Sequence, residues 1–296
     1  MLKRLSLLLT TISIFGFSCT KENIPSNHKL CQITQIVRQG GPTLTGTFEY
    51  QYDSLRKLTQ LNHSFTFQED LQFEYDNQGL PVTIKEGDYF KYKLIYQNNL
   101  VVQIDKVDNN DQQIDQAFFT YDANQRLIER RGFSTDYLLT VYEYEGESKN
   151  PKRKLIYGAP IPTPGDKGTD GETGILSPQD LELQIIYEYE YDNRINPQAS
   201  MVGQPLSPFY YGQEVIVDMF EPITINNIIY QKFQRKMGDG FFTYQEYFIN
   251  YTYNNSYPES EVHKKVEYNL DSSIPPIESF SSATYTYECR AEYWEW

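Results

Sequence analysis

The chain has 296 residues and carries 26 basic against 40 acidic side chains, a formal net charge of −14 at pH 7, with 26 tyrosines and three cysteines. That length suffices for one large core or two small ones. So acidic a surface repels phosphate backbones, which excludes general nucleic-acid binding, and its plainest meaning is solubility.

Lys3 and Arg4 form a positive n-region, residues 5–17 are an apolar stretch too short to span a bilayer, and Ser18 precedes Cys19. That order predicts a secretory signal peptide over residues 1–18. The segment "FGFSC" resembles the lipobox of bacterial lipoproteins, with Phe17 where a small residue is usual. The resemblance implies diacylation of Cys19, cleavage before it, and a lipid anchor that holds the mature chain to a membrane without spanning it. An ordinary secretory signal is the alternative. Residues 19–30 are polar and contain Pro and Asn, as a flexible tether would. No Asp follows Cys19, so the inner-membrane retention signal of that family is missing. Lys21-Glu22 is similar to the start of the surface-export signal of Bacteroidetes lipoproteins. The implied address is the outer membrane of a Gram-negative envelope, on its periplasmic or surface face.

From residue 31 to 158 one pattern recurs. "FEYQY", "LQFEY" and, later, "YEYEY" alternate aromatic and polar residues with period two, which predicts half-buried antiparallel strands. The inward set includes Tyr50, Tyr52, Phe73, Tyr75, Phe119, Tyr121 and Tyr144. Asp-, Asn- and Gly-bearing turns follow the anchor tyrosines Tyr52, Tyr75, Tyr96, Tyr121 and Tyr144, spaced by 23, 21, 25 and 23 residues. Tyr191 comes 47 residues later, about two units on. "YDNQGLP" and "YDANQRL" resemble the Tyr-Asp-x-x-Gly-Arg-Leu pattern of YD (RHS-like) repeats, also met in uncharacterised Bacteroidetes lipoproteins. The Tyr121 unit has Gln125 in place of the glycine, and the Tyr96 unit lacks the Asp. The shells of that family use dozens of units, which five to eight hairpins are too few to reproduce. The fold expected is all-β, an antiparallel meander of hairpins forming a large twisted, curled or self-covered sheet.

Residues 159–184 are rich in Pro, Gly and Asp and read as a long loop, with hairpins resuming over 185–296 in what is expected to be the same continuous domain. Cys31 and Cys289 remain once Cys19 is lipidated. Alternation places Cys31 with Ile33 and Val37, and Cys289 with Tyr285 and Tyr287, both toward the core. In an oxidising compartment two cysteines allow a single pairing; two separate buried thiols are the alternative. A disulfide would bring the first and last strands together. The terminal Trp294 and Trp296 share their parity with Glu288, Arg290 and Glu292, which argues against a lipid-facing last strand.

Catalytic signatures are missing: no Gly-x-Ser-x-Gly, no His-Glu-x-x-His, no phosphate-binding Gly-Lys-Ser/Thr, no Cys-x-x-Cys, and only three histidines. No cofactor is expected. Asp105, Asp108 and Asp111 are oxygen-rich enough to suggest calcium but lack the EF-hand spacing, and solvated turns are the simpler reading. The function expected is a non-catalytic envelope lipoprotein that binds or scaffolds through a tyrosine-rich sheet, with a glycan or an envelope protein as partner. The alternatives are a glycan hydrolase working through carboxylates and a sugar-binding surface lipoprotein.

Overall fold

The computed structural model describes residues 30–40, 46–64, 70–132, 137–159, 181–196 and 224–290. Along the chain the strands are β1 (Leu30–Gln39), β2 (Gly46–Tyr52), β3 (Leu58–His63), β4 (Leu71–Tyr75), β5 (Pro81–Glu86), β6 (Phe90–Gln97), β7 (Leu100–Asp108) and β8 (Gln113–Tyr121). They continue as β9 (Leu127–Gly132), β10 (Tyr137–Tyr144), β11 (Pro151–Gly158), β12 (Glu182–Ile195), β13 (Asn226–Met237), β14 (Gly240–Asn254), β15 (Tyr257–Glu267) and β16 (Ile277–Arg290). No helix occurs among the described residues. The signal segment with Cys19, residues 160–180 and 197–223, and both tryptophans lie outside them.

Every strand pairs antiparallel with its chain neighbour, and β1 pairs with β16, so the sheet closes into a sixteen-stranded barrel. This corrects the expected open, curled or self-covered sheet. The cause is a non-local pairing, in register from Leu30 opposite Arg290 to Gln39 opposite Ser282, which leaves neither end strand with an exposed row of amides. Cys31 faces Cys289 in this ladder and the two are joined in a disulfide, Cα atoms 4.1 Å apart. A bulge between Ile33 and Gln35 shifts the parity, so Ile36 points inward with Ile33 and Val37 points outward, contrary to strict alternation. The strands on either side of the Pro/Gly-rich interruption, β11 and β12, pair directly.

The turn after each anchor tyrosine has a physical rule. Asp53 Oδ1 accepts from the amides of Leu55 (2.9 Å) and Lys57 (2.8 Å). Asp76 does the same for Gln78 and Leu80, and Asp122 for Asn124 and Arg126, all at 2.9 Å. Three residues after each aspartate the backbone turns left-handed, at Arg56 (φ 66), Gly79 (φ 89) and Gln125 (φ 60). Gly79 sits there without strain, whereas the other two tolerate it because the aspartate clamps the loop. Asp108 makes the same turn with no tyrosine before it, accepting from Asn110 and Gln112 at 2.8 Å. Where the aspartate is missing, Asn98 and Asn99 (φ 52 and 63) form a two-residue turn instead.

The tyrosines themselves seal the joints between hairpins. Between β3 and β4 the ladder registers only Gln60 with Gln72 and Leu61 with Leu71, so the strands part toward the turn end. Tyr75 lies across that gap and donates its hydroxyl to the carbonyl of Leu58 at 2.7 Å. The same bond recurs from Tyr52 to Ile33, Tyr96 to Pro81, Tyr121 to Val101, Tyr144 to Leu127, Tyr191 to Pro151, Tyr251 to Ile228 and Tyr287 to Pro258, at 2.7–3.2 Å. All eight seams between successive hairpins are thus closed at one end of the barrel. Burial pushes the phenols of Tyr52, Tyr96 and Tyr121 far up, so they stay protonated donors. Replacing Tyr52, Tyr75, Tyr96 and Tyr121 together by Phe keeps the rings and removes four hydroxyl-to-carbonyl bonds. Urea unfolding should show a loss of about 4 kcal/mol, roughly 1 per hydroxyl at well-separated sites. An unchanged midpoint would mean that the rings alone close the seams.

The two faces of the wall differ in kind. Inward positions hold Ile33, Leu58, Ile84, Val101, Ile104 and Ala117, all at 0–1% exposure, in one cluster drawn from β1–β10 and β16. Outward positions of the same strands hold Glu49, Gln51, Gln60, Gln72, Glu74 and Lys85. Ion pairs run along this outer surface, including Glu74–Lys85, Glu129–Arg131 (2.6 Å), Glu188–Lys232 (3.3 Å) and Glu278–Lys264 (2.6 Å). Each contributes little in water, but together they mark a solvated exterior. Gly132 (φ 96) is required at the end of β9, because a Cβ there would lie 2.0 Å from the Gln116 carbonyl oxygen.

Candidate functional site: the inner wall of β11–β14

The interior is divided. Across β1–β10 it is filled by its own side chains, whereas along β13 every residue from Ile228 to Gln234 keeps partial solvent contact and Arg235 is exposed. Two cross-strand rows run from the buried side chains of β9–β11 to the more accessible ones of β12 and β13. One runs Arg130, Thr140, Ile156, Ile185, Arg235; the next runs Tyr142, Lys154, Tyr187, Phe233. Three of these nine side chains are cationic, and the second row continues through Gln245 on β14 to a carboxylate, Glu267 on β15. Aromatic rings line up beside the cations. Phe233 stacks on Tyr187 at 5.1 Å and 22°, Tyr187 on Tyr189 at 6.3 Å and 8°, and Tyr191 follows at 6.2 Å. The Lys154 amine sits 5.2 Å from the centre of the Tyr187 ring. Gln231, opposite Tyr189, adds an amide to the same face.

A second polar group spans the closing seam. Glu261 on β15 is 2% exposed, with His263 Nε2 2.8 Å from its Oε1 and the Tyr285 hydroxyl donating to its Oε2. Ala283 on β16 lies between Glu261 and Arg38 of β1 in the cross-strand row, and its small side chain keeps the two charges close. Burial by itself would raise the Glu261 carboxyl, but the His263 contact, the charges of His263 and Arg38, and the Tyr285 bond outweigh it and hold the group below its ordinary value. With both oxygens engaged, this carboxylate clasps the seam rather than facing a reactant.

The aspartates singled out for calcium do not converge. Asp105 points outward and accepts from Gln103 at 2.7 Å, Asp108 caps its turn, and Asp111 pairs with Lys93 (3.1 Å) and Lys91 (3.3 Å). No group of three or more His, Cys, Asp or Glu side chains is arranged to hold a metal among the described residues. The basic run near 149–154 is split by the pleat: Arg153 pairs with Glu143 outside, and Lys154 is buried inside. Sequence reasoning did not single out Arg235 or Phe233. Alternation in "YQKFQRK" sets Gln231, Phe233 and Arg235 on one face, but which face is inner depends on the closure.

Fold and wall together define a closed antiparallel barrel whose exterior is mostly polar with some exposed apolar side chains, and whose interior is packed across β1–β10 and more accessible along β13. No protein family and no curated protein matches the chain. Among solved structures it is similar to a porin-like protein from Bacteroides uniformis ATCC 8492, with TM-score 0.50 and 11% identity, covering 86% of this chain and 98% of that one. That likeness is one of fold. A structure described as TcdB2-TccC3-TEV aligns over 80% of this chain and 15% of its own at TM-score 0.27 and 9% identity, too low to carry a structural argument.

Proposed function

We propose that the chain is a non-catalytic binding module of the Gram-negative cell envelope, lipidated at Cys19 and standing in water beside the membrane. The observation that supports it most is the polarity of the wall. A membrane-spanning barrel presents an apolar band about 25 Å tall to lipid and, in channels, a polar lumen. Here the outward positions of β2–β5 carry Glu, Gln and Lys, while the inward positions carry Ile, Leu, Val and Tyr. Ile95, Phe118, Phe248, Val262 and Phe280 are exposed on the outer face of other strands, but they stand among Gln103, Arg131, Lys264 and Ser282. The fold shared with the porin-like Bacteroides protein agrees with an envelope protein, but conduction would need a lumen that the packed half of this barrel fills. A lipid on the N-terminal segment then accounts for membrane association.

The expected result is that wild-type protein incorporates palmitate and sediments with outer membranes, while Cys19→Ala does neither and is recovered soluble. Purified protein should give no steps of current in planar bilayers. A Cys19→Ala protein that stays in the membrane through alkaline carbonate extraction, or that conducts, would overturn the reading in favour of a spanning barrel.

A further inference from the structure

We propose that the outer wall of β14–β16 is the contact through which two copies of this chain pair side by side. The inference goes beyond the binding-module reading, which requires no second copy. Six of the fourteen exposed large apolar side chains among the described residues lie on these strands and the loop joining β15 to β16. They are Phe248, Val262, Leu270, Ile274, Ile277 and Phe280, each 38–63% exposed. Register gathers them. Phe248 faces Lys264 and Lys264 faces Phe280 in one cross-strand row, and Val262 stands in the neighbouring row. Tyr230 of β13 extends the first row, its ring 5.3 Å from that of Phe248. The alternate positions Tyr247, Ile249 and Glu261 are buried, which sets Phe248 and Val262 on the outer face. Lys264 interrupts the patch only slightly: its amine is held 2.6 Å from Glu278, and its alkyl stem stands between the two phenylalanines.

The size of the patch fits a protein contact. At about half exposure the six side chains leave on the order of 500 Å² of apolar surface in water, near the upper end for a monomer. That approaches the apolar share of the ~800 Å² that each partner covers in a stable dimer. The margins choose the occupant. Glu190, Glu246 and Glu278 border the rows and Asp271 lies between Leu270 and Ile274, so the patch is unsuited to anionic headgroups. The Lys264–Glu278 pair is self-complementary, because in a two-fold contact the lysine of each copy meets the glutamate of the other. Orientation agrees. Leu30, where the tether joins, faces Arg290 at one end of β16, whereas Ile277 and Phe280 lie toward the other end. Copies anchored at Cys19 in one leaflet share that orientation and meet through their walls at high effective concentration.

The test replaces Phe280, Val262 or, as a control on the polar wall of β2–β5, Lys85 by the photo-cross-linking residue benzoylphenylalanine, one at a time, in membranes of a Gram-negative host. Illumination should give an adduct of twice the chain's mass, containing peptides of this chain alone, from the Phe280 and Val262 positions and not from the Lys85 position. Adding Val262→Asp to the chain labelled at Phe280 should lower the dimer yield roughly tenfold, because pairing would bury an uncompensated carboxylate. Val262→Asp should melt close to the parent, since that side chain stands in water on the single barrel. No dimer adduct, an adduct with another protein or with lipid, equal yield from the Lys85 position, or an undiminished yield in Val262→Asp each overturns the proposal. Palmitate labelling of the same cells separates the two readings. A labelled chain that stays monomeric defeats the pairing and leaves the anchored module, whereas an unlabelled chain that still pairs defeats the anchor and leaves the contact.

Discussion

Replacing Cys31 and Cys289 by Ser is expected to lower the unfolding free energy by about 5 kcal/mol. The bond ties residues 258 apart in sequence, so nearly the whole described chain lies inside the loop it closes. In the chain-entropy account, the longer the loop, the more freedom the unfolded chain recovers when the cross-link is removed. The bond also sits where the barrel is topologically weakest. All other neighbouring strands are joined by the chain, but β1 and β16 are held only by their ladder, the disulfide and side chains across the seam. Cys289 is exposed, so serine there adds little cost of its own, whereas at buried Cys31 the new hydroxyl adds to the loss. Urea unfolding of the double variant against oxidised wild type measures the difference, and the melting temperature should fall by roughly 10–20 °C for a chain of this size. Identical curves, or two reactive thiols in denatured wild type kept from reductant, would contradict the expectation.

That dependence on one distant pairing also explains which parts of the molecule are readable from residues alone. The alternation in "FEYQY" and "LQFEY" fixes strand type and inward face locally, and Tyr50, Phe73 and Phe119 are indeed buried. The Asp-x-x-Gly turns are equally local, because a carboxylate and a left-handed residue three positions on suffice to build them. Closure is different. An open meander and a barrel carry the same period-two pattern, and only the register between residues 30–39 and 282–290 distinguishes them. The seals from Tyr251 and Tyr287 are harder to read because they fall off the spacing of the N-terminal anchors, so the bond persists where the period has gone. Arg235 was hidden more deeply, since alternation puts it on one face with Gln231 and Phe233, and only the ladder with β12 shows that this face is the inner one.

Glu261→Gln is expected to cost about 3 kcal/mol at pH 7, and the loss should shrink as the solution is acidified. The carboxylate is buried, contacts His263 and accepts from Tyr285, and it offsets the charge of Arg38 across Ala283. Breaking one member of a buried charged group leaves its partners without compensation, typically at 3–5 kcal/mol, and glutamine retains enough shape and hydrogen bonding to place this variant at the lower end. Because the folded carboxyl is held below the value it has in the unfolded chain, its stabilisation is complete above the unfolded value and disappears as pH falls through the folded one. Wild type therefore loses this contribution from about pH 5 downward, while the variant, with nothing to protonate at that position, does not. Unfolding curves at pH 7, 5, 4 and 3 should show the two proteins converging. A gap that stays constant to pH 3 would show that Glu261 acts through packing, and that the clasp between β15, β16 and β1 does not depend on its charge.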